Sequence, residues 1–411
     1  MSGLKRIESL VKRFGSITLL RAFSATGLIL FSSVITWLYG MDSFGQVSFA
    51  ISIANLILVI GRYGSEYSFF GRYFDLSSQG ENDKAARVLF EKCRLSLILS
   101  LSLAVVVVPL SFSSVEIIVF CFLYIVGFAI IQMVSLSHRV IKEFYRSYLF
   151  EAGVFFVFSS LIFLLLALSG NTSDVFVVLS ACLLAYFCLF SLFGNKKLLQ
   201  GFKLSGESEG TKLSQSLKQD SKFLAFTLSE YVLFWGIILI SGYTLSEYDT
   251  GVIAWGGRIF QLFVFILAIR NSVQVPEILA SSDIKQSYLK VRKDGVALSV
   301  AGLVASSLVV TVVYFVADLD SSTLLIWSLF ALAACVRLYF GPVYHVFVKF
   351  SADKQVYTNC VLTVFVCVLC SGLALSLSTG ALGLAACYLL TWLVSLFYAD
   401  SQSLGGQYGR V

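Results

Sequence analysis

The sequence predicts an all-α polytopic membrane protein, with about twelve transmembrane helices in two six-helix lobes. Three observations carry this reading. The 411 residues are 58% hydrophobic and only 13% charged, whereas a soluble domain averages about 25% charged. Apolar runs of roughly 18–25 residues recur along the whole length, enough to cross a hydrocarbon core about 30 Å thick. The 30 lysines and arginines fall, save five, in the termini and in the alternate loops that share a side with them. The opposite loops hold none. By the positive-inside rule both termini then face the cytosol. A β-barrel would show short alternating segments instead of these long continuous runs.

The first span, 17–39, follows Lys5, Arg6, Lys12 and Arg13. It is full length and lacks a small-residue cleavage exit, so it reads as an anchor that is retained. Spans 2 to 6 cover 46–70, 95–112, 115–136, 149–169 and 175–194. The loop 195–222 follows, with Lys196, Lys197, Lys203, Lys212, Lys218 and Lys222. Its small, polar middle from Leu204 to Thr211 reads as a flexible linker. Spans 7 to 12 cover 223–244, 251–273, 295–317, 322–345, 357–376 and 381–399. The chain thus divides into an N-terminal lobe 1–194, a cytosolic linker 195–222, and a C-terminal lobe 223–411 with a short cytosolic tail. The outer loops 40–45, 113–114, 170–174, 245–250, 318–321 and 377–380 are short. They carry acids such as Asp42, Asp174, Glu247, Asp249, Asp318 and Asp320.

Two halves of six spans in the same orientation suggest parallel repeats about an axis along the membrane normal. His138-x-x-x-Lys142 at the end of span 4 matches His345-x-x-x-Lys349 at the end of span 10, and Arg62 nearly matches Arg270. The histidines read as headgroup-level residues rather than a catalytic or metal pair.

The net charge of +6 is dispersed over the inner segments without an aromatic-interleaved basic stripe, so nucleic acid is not a partner. The nine cysteines form no framework. Cys367-x-x-Cys370 lies in an apolar span with no βαβ context, so neither metal nor redox chemistry is expected. No phosphate-binding loop, nucleophile elbow or zinc motif stands out. No cofactor and no catalytic residue is expected, and the short outer loops leave no room for a catalytic domain.

Charge within the membrane remains. Arg21, Arg62, Arg258, Arg270 and Arg337 sit inside apolar spans. Each costs about 2.5–3.5 kcal/mol at a lipid-facing helix centre, so together they should face the interior or the interface. Arg21 and Arg270 lie near inner span ends and can snorkel to headgroups. Arg62 and Arg337 lie ~12–13 Å from the inner ends of their spans, and Arg258 lies ~10 Å from the outer end of its span. These three are the best candidates for a cavity. Glu66 shares a helix face with Arg62. Glu66 and Glu230 are candidate charge partners or coupling acids, and Glu151 reads as interfacial. Guanidinium forks bind phosphate in a bidentate fashion. A polyanion such as a lipid-linked pyrophosphate would satisfy several of them. Tyr231, Phe234, Trp235, Tyr243 and Trp255 are candidates for packing against sugar rings.

Local motifs add a resemblance. Tyr39-Gly40-x-x-x-Phe44-Gly45 joins spans 1 and 2, and Gly61-x-x-Gly64 follows. Gly251-Val-Ile-Ala-Trp-Gly-Gly-Arg258 opens span 8, with Asn271 and Pro276 beyond, and Gly341-Pro342 lies in span 10. With twelve spans and a polar linker after the sixth, nearly the whole chain resembles the polysaccharide flippases of the multidrug/oligosaccharidyl-lipid/polysaccharide (MOP) exporter superfamily, in particular bacterial O-antigen translocases. It departs from their usual pattern in span 8, where glycine stands for a common alanine and tryptophan for a common tyrosine. The resemblance implies a pseudo-twofold arrangement around a central cavity that opens alternately to either side. It implies a flippase for an undecaprenyl-pyrophosphate-linked oligosaccharide in the bacterial inner membrane, ion-coupled, with the polysaccharide polymerase machinery as a further candidate partner. Competing readings are a drug or small-cation exporter, which should be acid-rich, an O-antigen polymerase or ligase, which should have large outer loops, and an assembly scaffold.

Overall fold

The computed structural model describes the backbone of residues 2–141, 143, 146–147, 152–170, 173–194, 202, 213–280, 284–317 and 320–405. Side chains are described over 26–64, 69, 72–141, 143, 146–147, 153–170, 173–191, 202, 220–263, 267, 271, 274, 278, 286–305, 307–308, 320–344, 346–348 and 351–403. The side chains of Arg21, Glu66, Arg270, Glu151, Lys142, His345 and Lys349 lie outside the described residues.

The protein is an all-α polytopic membrane protein, and among the described residues each of the twelve expected spans lies mostly on helix. Among the described residues, seven helices are long and apolar enough to cross a membrane, and Gly153–Leu168 and Val175–Ser191 are shorter apolar helices. Large apolar side chains point outward, including Val105 at 63%, Leu165 at 61% and Phe365 at 58% exposure. Such faces are stable against lipid and would be costly against water.

The helices in chain order are α1 Ser2–Arg62, α2 Ser65–Ser78, α3 Asn82–Ser111, α4 Val115–Val140, α5 Ala152–Leu168, α6 Val175–Gly194 and α7 Leu213–Tyr231. A π-helical segment, Val232–Gly236, leads into α8 Ile237–Thr244. Then come α9 Glu247–Ala280, α10 Ile284–Ala317, α11 Ser321–Phe340, α12 Val343–Phe350, α13 Asp353–Ser376 and α14 Gly380–Gly405.

Breaks occur where the local chemistry favours them. Spans 1 and 2 meet at Gly40, the one non-helical residue inside α1 (φ 88, ψ 172). The expected 40–45 loop is therefore mostly helix. Span 2 was expected to run unbroken to residue 70. It stops at Arg62, because Tyr63 (φ 51) and Gly64 (φ 67) turn left-handed, where glycine carries no Cβ penalty. α2 then packs Phe69 and Tyr73 against Ala85, Leu89, Cys93, Met133 and Val140. Span 10 breaks at Gly341 (φ 59, ψ −132), followed by Pro342. Ser114 caps α4 by accepting from the Ile117 amide at 3.4 Å. Asp174 caps α6, accepting from the Phe176 amide at 2.8 Å and the Val177 amide at 3.1 Å.

The chain forms two compact units. One comprises Met1–Tyr39 with Ile53–Leu224, the other Gly40–Ser52 with Ala225–Val411. The first holds an aromatic column in which Phe120, Tyr124, Phe128, Phe155 and Tyr186 are in successive ring contact. In it Lys92 and the buried Asp220 pair at 2.9 Å, which ties the start of α7 to α3. The second unit takes in Gly40–Ser52 through close backbone approach. A Cβ at Gly45 would collide with the Glu247 carbonyl, and one at Gly251 with that of Met41. Its core is built on Phe260, Phe330, Tyr388 and Trp392.

Candidate functional site

Of the expected site residues with described side chains, Arg258, Arg337 and Glu230 belong to the second unit and Arg62 to the first. Arg62 is half-buried, occupies the last turn of α1, and donates through Nε to the Leu58 carbonyl at 3.1 Å. The unbroken span 2 along which its depth was counted therefore ends at this residue.

Arg258 is 1% exposed. α9 begins at Glu247, ahead of the expected start at 251, so Arg258 stands further into its helix. Its Nη1 donates to Gln261 Oε1 at 3.1 Å, one turn along α9. The guanidinium carbon lies 5.2 Å from the ring centre of Trp235, within cation–π range. Trp235 stands on the π-helical segment, whose wider turn changes the direction of the side chains that follow Tyr231. Gly256 brings α9 against α11, since a Cβ there would collide with the ring of Phe330.

Arg337 is 6% exposed. The break at Gly341 places it in the last turn of α11 rather than deep in a continuous span. Its Nη1 donates to the Gly341 carbonyl, a group that the interrupted helix leaves without a helical partner. Its guanidinium carbon lies 5.1 Å from the Tyr344 ring and 5.9 Å from the Trp392 ring. Glu230, on the last turn of α7, is near enough to act electrostatically on both Arg337 and Tyr344. The fold therefore places Glu230 where its charge acts on Arg337 without a direct ion pair. It connects Arg337 with the Arg258 neighbourhood through aromatics, because Phe234, beside Trp235, meets Trp392 edge-on at 5.5 Å.

A hydroxyl chain that sequence reasoning missed continues from Tyr344. Its Oη is 2.6 Å from Ser395 Oγ, and Thr363 Oγ1 donates to Ser395 Oγ at 2.9 Å. Ser395 in turn donates to Asn359 Oδ1 at 3.3 Å. All four residues are buried. The available signal was Asn359 and Thr363 four apart in an apolar span, which places them on one helix face. A second missed group is an ion pair on α10 and α14. Arg292 donates to Asp400 Oδ2 at 2.8 Å and to Tyr339 Oη at 3.0 Å. Tyr288 donates to Asp400 Oδ1 at 2.8 Å.

The five candidate sugar-packing aromatics differ in their contacts. Tyr231 is buried and donates to the Ser52 carbonyl at 2.9 Å. Phe234 meets Phe260 and Trp392, Trp255 meets Phe44 and Trp327, and Tyr243 meets Phe49. Trp235 alone of the five stacks on an arginine among the described contacts.

Beyond the spans, His138 Nδ1 lies 2.8 Å from Glu143 Oε2. Burial on its own raises the Glu143 carboxyl. The His138 hydrogen bond and the Arg146 charge outweigh it and hold the group below the usual range. Among the described residues no group of three His, Cys, Asp or Glu side chains is placed to hold a metal ion.

No family model and no curated protein matches the sequence. Solved structures do match in fold. An inward-facing multidrug resistance MATE family transporter of the MOP superfamily aligns with TM-score 0.54 and 13% identity, over 96% of this chain and 100% of that one. A MATE transporter of Vibrio cholerae aligns with TM-score 0.51 and 13% identity, over 98% of each chain. The fold is that of the MATE transporters. At 13% identity the likeness is one of fold alone.

Proposed function

We propose that this protein is a flippase. It moves an undecaprenyl-pyrophosphate-linked oligosaccharide, an O-antigen or related repeat unit, across the bacterial cytoplasmic membrane by alternating access with ion coupling. The observation that carries the reading is basic charge enclosed within membrane-spanning helices. Arg258 and Arg337 are 1% and 6% exposed. The nearby acid is Glu230, while the buried Asp400 is engaged by Arg292. The MATE fold supports a carrier rather than a catalyst.

A positive interior selects an anion. In a low-dielectric surround a guanidinium acts over a longer range than in water, and its planar fork suits pyrophosphate. The half-buried Arg62 would take a direct contact. Arg258 and Arg337 are covered in this conformation and would engage the headgroup in a more open one. A small-cation exporter would need the opposite balance of charge. The lipid tail would remain in the bilayer, both termini would face the cytosol, and the polymerase machinery would receive the product.

The test is Arg62→Ala and Arg258→Ala at unchanged membrane level. Surface polysaccharide should fall, and the lipid-linked repeat unit should accumulate on the inner face. Undiminished polysaccharide in both variants rules out the pyrophosphate-binding role. Drug sensitivity on deletion with intact surface glycan would move the assignment to a cation exporter.

A further inference from the structure

We infer that Trp235 is a positioning residue for Arg258: its indole fixes the plane of the guanidinium so that the in-plane N–H fork is presented to a pyrophosphate group. The inference rests on the functional reading above and names a residue which that reading does not use. Three independent features converge on it.

The first is the contact, with the guanidinium carbon 5.2 Å from the indole centre. Stacking occupies a face of the guanidinium, whereas phosphate binds in its plane, so the two modes are compatible.

The second is the backbone. Trp235 lies inside the π-helical segment Val232–Gly236, between α7 and α8. A π turn within an α-helical run is uncommon and is concentrated at functional sites. Here it sets the direction in which Trp235 leaves the helix. Gly236 at its end is closely packed, with a built Cβ only 3.3 Å from Val232 and 3.7 Å from Cys367 Sγ.

The third is the fit on the arginine's own side. Gln261 holds Nη1 at 3.1 Å, from the next turn of α9. Gly256 lets α9 approach Phe330 closely, and Gly257 lies 3.6 Å from Ile238 on α8 by the same Cβ measure. Arg258 is thus held from one side by its own helix and from the other by the π turn. Trp235 itself is only half-buried, so the indole is the more accessible member of the pair.

The experiment uses the full-length protein in detergent, with inorganic pyrophosphate as the probe. Binding is measured by calorimetry for the wild type, Trp235→Leu, Trp235→Phe, Arg258→Gln and the Trp235→Leu/Arg258→Gln double variant. Trp235→Leu should weaken pyrophosphate about three- to thirty-fold, the range expected for loss of a buried cation–π contact. Trp235→Phe keeps an aromatic face and should recover most of that loss. In the Arg258→Gln background the Trp235 substitution should have no further effect, because it acts through the arginine. Melting temperature, recorded in parallel, separates this from a general packing role, which would lower stability alike in both backgrounds. Wild-type affinity in Trp235→Leu overturns the inference, as does an equal loss in Trp235→Phe or additivity in the double variant. An absence of pyrophosphate binding by the wild type removes the functional reading, and this inference with it.

Discussion

Arg337 sits at a point where two requirements meet. The break at Gly341 leaves a carbonyl that needs a donor, and the charge of Glu230 acts on the guanidinium from nearby. Truncation to Arg337→Leu removes the donor to Gly341 and the positive charge at once. It should destabilise the protein by about 3 kcal/mol or more, measured by thermal unfolding in detergent. In that background Glu230→Gln should cost less than in the wild type, since its attraction to Arg337 is already gone, and strict additivity would show that the two do not interact. Depth counted along the sequence marked Arg258 and Arg337 as enclosed, and both are. It also placed Arg62 and Arg337 deep in unbroken spans, and there the structure differs for both, because breaks at Tyr63–Gly64 and at Gly341 put each in the last turn of its helix. A residue count presumes an unbroken helix, so it fails wherever the backbone turns.

Helix ends set the next scale. Gly64 has φ 67, and a Cβ there would collide with the backbone of Phe223 and Leu224. Gly64→Ala combines a left-handed non-glycine residue with overpacking and should cost about 2–4 kcal/mol, read as a lower unfolding midpoint. Asp320 caps α11, accepting from the Ser322 hydroxyl and from the Thr323 amide at 3.4 Å. The Ser322 and Thr323 hydrogen bonds hold its carboxyl below the ordinary aspartate value. A depressed folded-state value stabilises the ionised cap above the unfolded pKa, and the contribution is lost as pH falls through the lower folded value. The capping contribution, typically ~1 kcal/mol and smaller at this exposed site, should therefore persist at neutral pH and fade only below about pH 4. Amide exchange at residues 321–324 measures it. Faster exchange in Asp320→Ala at neutral pH, converging with wild type in acid, is the expected pattern, and equal exchange at neutral pH would remove the cap's role. Aspartate at the mouth of an apolar run makes this element legible in advance. The π segment is not legible, since Val-Leu-Phe-Trp-Gly has nothing that distinguishes it from α-helix until α9 and α13 pack around it.

For the whole molecule, the distribution of bases predicts where each segment faces. A reporter active only in the cytosol should work when joined after residue 411 or inserted at 205–210, and should be silent at 170. An active reporter at 170 would overturn the orientation. The number of spans, their approximate limits and the helical class follow from run length and hydropathy, because a backbone in lipid must satisfy its own hydrogen bonds wherever it crosses. The arginines within spans were equally visible, because charge in hydrocarbon stands out in any apolar run. What each arginine touches was not. That Trp235 meets Arg258, that the charge of Glu230 reaches Arg337, and that Asn359, Thr363, Ser395 and Tyr344 form one chain are matters of packing between distant segments. So is the membership of Gly40–Ser52 in the second unit. The sequence alone determined which residues lipid would reject. Only the tertiary structure decided which partners receive them, because those partners come from other helices and local spacing holds no record of them.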